Sequence, residues 1–134
     1  FGEWSGKAAG GSSGKECLQI NVKDNSAFGS FVQIPAVDGT IEKIEVTIRE
    51  PYKGRAIGIF PVGYTYTKDT LDKMKEQLAK DAIAISNETP SDVNNNEPFT
   101  FVIDNLSAKN LTQFSIFPTL GAVSITAITV TYSK

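Results

Sequence analysis

The chain of 134 residues contains no histidine, one cysteine, one tryptophan and one methionine. Without histidine the commonest general base and the commonest transition-metal ligand are gone. Ser-His-Asp and Cys-His mechanisms are excluded outright. A lone Cys17 permits neither an intramolecular disulfide nor a cysteine metal site. It reads as a small residue in a second packed layer or as a partly exposed thiol. Excess charge is also lacking: the formal net charge is -2. Nucleic-acid surfaces are usually strongly basic, so no nucleic-acid partner is expected. No apolar run reaches the length of a membrane-spanning helix, and no membrane partner is expected. No charged n-region followed by an apolar h-region opens the sequence, which begins at Phe1, as a processed protein or an excised domain would.

What is present is strand periodicity. Residues 1–14, FGEWSGKAAGGSSG, read as a flexible Gly/Ser-rich lead-in with Trp4 as its only large anchor. Residues 15–134 then read as a single domain, long enough to bury a core without staples. Leu18, Ile20 and Val22 alternate with their neighbours, as do Ile44, Val46 and Ile48 against Glu45, Thr47 and Arg49. The second pattern predicts an antiparallel strand with one wet face. Ile41 is out of phase with Ile44, so a bulge or a change of direction is expected between them, and Ile125 is out of register with Ile128, so a second bulge is expected there. Further strands are expected at Ala56 to Val62, Tyr64 to Thr67, Phe99 to Ile103 and around Phe114 and Ile116. About eight strands with regular turns predict an all-β antiparallel β-sandwich, jelly-roll-like. One short amphipathic helix interrupts it around residues 69–82. There Leu71, Met74 and Leu78 recur at helical spacing, and Asp69 or Thr70 can cap the start. The helix is expected against a sheet edge or end. NETPSDVNNNEP is a polar loop outside the core.

The stretches IEKIEVTI and FTFVIDNL…NLTQFSIFPTLGAVSITAITVTYSK resemble the middle and closing strands of jelly-roll modules attached to secreted glycan-degrading proteins of gut and rumen bacteria. The helix and the Asn-rich loop fall outside this resemblance. It implies a secreted or cell-surface bacterial carbohydrate-binding or accessory module, attached to a larger multidomain enzyme. It carries no individual binding residue with it.

Residue chemistry supplies the candidates. Sugar rings stack on flat aromatic faces, and planar polar groups meet their hydroxyls. Trp4, Tyr52, Tyr64 and Tyr66 are the platforms in loops or at strand ends; Lys53 and Arg55 share the turn with Tyr52. Tyr64 and Tyr66 form either a same-face platform or an inward pair with hydroxyls on backbone partners. The Tyr52 turn is either a recognition loop or a solvated hairpin with Gly54 in a left-handed conformation. Trp4 either binds or tucks over the open end of a sandwich. No carboxylate pair has a spacing that demands glycosidase chemistry, so the chain is read as non-catalytic, with no cofactor. A structural calcium ion has oxygen ligands on offer at Asp24-Asn25 and Asp92 to Glu97, which turn chemistry explains equally well. The expectation is a carbohydrate-binding module that recognises a polysaccharide through an aromatic platform. The rival expectation is a structural β-sandwich subunit of a surface assembly or virion.

Overall fold

The computed structural model describes residues 5–7, 18–20, 22, 31–68 and 70–134. Trp4, Cys17, Asp24, Asn25 and Asp69 lie outside them. Nine strands are formed among the described residues. They are β1 (Ser5–Lys7), β2 (Leu18–Ile20), β3 (Phe31–Gln33), β4 (Thr40–Arg49), β5 (Ile57–Phe60), β6 (Ala84–Ile85), β7 (Phe99–Ile103), β8 (Ser115–Pro118) and β9 (Val123–Ser133). One helix, α1 (Leu71–Asp81), lies between β5 and β6. β1 lies within the stretch read from sequence as a lead-in and pairs with β3.

The strands make two antiparallel sheets, ordered β1-β3-β8-β5-β6 and β2-β9-β4-β7. The all-β sandwich with one short helix is therefore the observed architecture. Its core holds Ile20, Ile44, Val46 and Phe101 from one sheet against Val32, Ile57, Ile59 and Ile116 from the other. Period-two alternation explains this: every second side chain of β4 points inward, leaving Glu45, Thr47 and Arg49 on the other face.

Both expected bulges occur. The β4–β9 register skips Glu42, between Ile41 and Lys43, and skips Thr126, between Thr47 and Ile48 on the facing strand. Each extra residue resets the phase, so Ile41 and Ile44 are both buried, and Ile125 is buried while Ile128 packs against the same core. The carbonyl freed at Glu42 accepts the Leu106 N–H at 3.0 Å.

The other sheet departs from the expectation of one buried face. All four residues of β5 and all four of β8 are buried. Their outer face carries a second apolar cluster of Val22, Phe60, Tyr66, Met74, Leu78 and Phe117. The helix thus lies over a sheet face and not at an edge or end, because Phe60 and Phe117 give that face an apolar surface to cover. Thr70 caps the helix, its Oγ1 accepting the Lys73 N–H at 3.3 Å. Met74 and Leu78 face inward as their spacing predicts, whereas Leu71, in the first turn, is exposed.

Candidate functional site

Two groups of tyrosines must be distinguished, and β5 separates them along the chain. Beyond its end, Pro61–Gly63 turn the chain, with the Tyr64 N–H on the Pro61 carbonyl at 3.1 Å and Gly63 at φ +85°. The strand expected at Tyr64 to Thr67 does not form. Residues 64–68 instead run as a strap tied to the helix: Gln77 Oε1 accepts the N–H groups of Thr67 and Lys68 at 3.0 and 3.3 Å. Tyr64 stacks on Phe60 with ring centroids 4.6 Å apart and meets Phe117 edge-on at 5.4 Å. Its hydroxyl donates to Asp81 Oδ2 at 2.8 Å. Burial, followed by that hydrogen bond and the Asp81 charge, holds the phenol well above the ordinary tyrosine value. Tyr66 is only 6 % exposed and donates its hydroxyl to the Val22 carbonyl.

The same-face platform of Tyr64 and Tyr66 is therefore corrected. Both rings complete the second apolar cluster, and the physical reason is the helix. Its side chains cover the sheet's outer face, and the strap must bury its own rings to close the joint.

Before the start of β5 the arrangement differs. Tyr52 is 58 % exposed. The Arg55 guanidinium carbon lies 5.9 Å from its ring centroid, within cation–π range. Arg55 Nε donates to the Ala122 carbonyl at 3.0 Å, fixing the guanidinium against the β8–β9 connection. A Cβ at Gly121 would come 2.8 Å from the guanidinium carbon, so a side chain there would displace the guanidinium from this seat. Lys53 is exposed.

Thr89, from the polar loop between β6 and β7, locks this turn. Its Oγ1 accepts the Arg55 N–H at 2.9 Å and donates to the Tyr52 carbonyl at 2.6 Å. Its own N–H donates to the Arg55 carbonyl at 2.8 Å. Gly54 takes the left-handed conformation expected of it, φ +69°. The turn is not a hairpin, however, because β4 and β5 belong to different sheets. Of the six sequence candidates, Tyr52, Lys53 and Arg55 are thus brought together on one loop. Tyr64 and Tyr66 are drawn into the packing, and Trp4 lies outside the described residues.

Sequence reasoning missed the neighbour of this turn. A groove of about 250 Å³ lies at the end of the β4–β7 pair, lined by Arg49, Glu50, Asn95, Asn96, Glu97 and Pro98. Asn94 braces the turn that carries these residues: its Oδ1 accepts the Asn96 N–H at 2.9 Å and its carbonyl accepts the Glu97 N–H at 3.1 Å. Glu50 sits at φ +48°, a left-handed conformation uncommon for a residue with a Cβ. The signal available was the pair of asparagines beside a carboxylate. In the sequence Asp92 to Glu97 reads as a polar loop with oxygen ligands on offer, because the partners that make a groove of it lie more than forty positions earlier in the chain.

Among the described residues no group of three His, Cys, Asp or Glu side chains could hold a metal ion. No helix among them is long and apolar enough to cross a membrane. No protein-family model, curated protein or solved structure matches the chain.

Proposed function

We propose that the protein is a non-catalytic carbohydrate-binding module that holds a polysaccharide at the Tyr52 loop. One observation carries the reading: an exposed aromatic ring, backed by Arg55 and pinned by Thr89, stands on a loop at the rim of a sandwich. The loop under this ring is held by hydrogen bonds between Thr89 and the Tyr52 and Arg55 backbone, so it loses little conformational freedom on binding, which is what a platform requires. The exposed Lys53 and the polar loop beside it supply donors and acceptors for hydroxyls. This platform is smaller than the four-ring surface expected from sequence. It suits recognition of a short stretch of polymer.

The strand order supports a jelly roll as the finer description of the fold. β2-β9-β4-β7 faces β3-β8-β5-β6, and most successive strands cross from one sheet to the other. On this reading the module is secreted or displayed at a cell surface, where polymeric glycans are met, and acts as part of a larger protein.

Affinity electrophoresis in gels containing soluble plant, algal or microbial glycans tests the reading. At least one polymer should retard the protein, and Tyr52→Ala should abolish the shift while the melting temperature stays close to that of the wild type. Retardation that survives Tyr52→Ala would refute it.

A further inference from the structure

Building on the Tyr52 platform, we infer that the neighbouring groove is a second subsite that takes the hydroxyl groups of a neutral sugar unit. The lining decides the ligand class. Arg49 contributes N–H donors only, Glu50 and Glu97 contribute acceptors, and Asn95 and Asn96 offer both. A sugar hydroxyl is donor and acceptor at once, so a vicinal pair can be met from two sides by such a set. Within the lining the Arg49 guanidinium is matched by the Glu97 carboxylate. An acidic sugar would bring a further carboxylate towards Glu97, and like charges across an interface cost affinity. A divalent cation is opposed by the Arg49 guanidinium in the same groove.

Two further features single out this place. Arg49 Nε is shut from solvent and has no hydrogen-bond partner among the described residues. Unmet buried donors are rare in native structures and costly to keep. A small turn of the guanidinium would present that donor to a hydroxyl oxygen in the groove, so binding relieves the deficit. Glu50 holds its left-handed conformation immediately before Pro51, where backbone freedom is already restricted. Strain of this kind clusters at ligand-binding positions. Here the strained residue lines the groove, two positions before Tyr52 in the chain. The loop containing Asn95 and Asn96 is the loop whose Thr89 pins Tyr52, so platform and groove share one framework.

Isothermal titration against soluble arabinoxylan, mixed-linkage β-glucan, galactomannan and polygalacturonate tests this. It should be run at about 0.1 M and about 1 M salt, between which the screening length falls from about 10 to about 3 Å. The expected result is binding to a neutral polymer that changes little with salt. Asn96→Ala and Glu97→Gln should each weaken it about tenfold, equivalent to about 1.4 kcal/mol, with unchanged melting temperatures. If Tyr52→Ala abolishes binding while Asn96→Ala and Glu97→Gln leave it intact, the groove is overturned and the platform stands. Salt-sensitive binding to polygalacturonate in preference to the neutral polymers also overturns the neutral-sugar assignment alone. Failure of every polymer to bind overturns platform and groove together.

Discussion

Replacing Tyr66 by alanine should cost far more stability than replacing Tyr52, although both tyrosines flank the same short strand. Tyr66 is 6 % exposed, its ring stands edge-on to Phe117 at a centroid distance of 6.1 Å, and its hydroxyl holds the Val22 carbonyl. Truncating a buried aromatic side chain costs about 3–5 kcal/mol, because the transfer energy is lost and a cavity is left. Tyr66→Phe keeps the ring but withdraws the donor from a buried carbonyl, at about 1–3 kcal/mol. Tyr52 is 58 % exposed, so Tyr52→Ala forfeits little beyond the Arg55 contact, about 0.5–1 kcal/mol. A domain of this size loses about 3–5 °C of melting temperature per kcal/mol, between the values for smaller and larger domains. Tyr66→Ala should therefore melt about 9–25 °C below the wild type, with Tyr66→Phe between it and Tyr52→Ala. Total stability for this length is about 7–20 kcal/mol, so the variants should remain folded at room temperature. Calorimetry and urea titration of the three variants decide the matter. Tyr52→Ala melting as low as Tyr66→Ala would refute the division into a packed pair and a free platform.

Other outcomes follow from the same packing. Tyr64 has a raised pKa, so its neutral form is favoured by folding; the stabilisation is complete below the ordinary value of 10.0 and is lost as pH climbs above it. Urea midpoints should hold up to about pH 10 and fall above it, and Tyr64→Phe should show a shallower fall; an identical fall would remove Tyr64 from the account. Gly58→Ala would place a Cβ 3.0 Å from the Phe60 ring, 3.2 Å from the Thr119 methyl and 3.4 Å from the Ala84 carbonyl. Overpacking of this order costs about 1–3 kcal/mol, read as a lowered melting temperature, and an unchanged midpoint would mean that the outer cluster gives way freely. Gly54→Ala meets nothing within 4 Å, yet must hold φ +69°, at about 1–2 kcal/mol. Gly54→Asn should be milder, since asparagine tolerates that region, and equal losses in the two variants would argue against backbone strain as the cause.

Local periodicity in the chain suffices for most of the strands, both bulges and the helix, but not for β1 in the Gly/Ser-rich stretch, nor against a strand at Tyr64 to Thr67. Ile44, Val46 and Ile48 declare a buried face two residues at a time, and the phase slips at Ile41 and Ile125 can be absorbed only by an extra residue. Met74 and Leu78 likewise declare a helix face. Periodicity assigns a side chain to one face or the other, but it does not say what lies above that face. Only the tertiary structure decided that α1 covers the outside of β5 and β8. That choice drew Tyr64 and Tyr66 into a second core, while Tyr52, ahead of β5, stays exposed. The groove was equally out of reach of a sequence reading. Arg49 and Asn96 meet only because β4 pairs with β7, and strand pairing over such a separation depends on the packing of the whole sandwich.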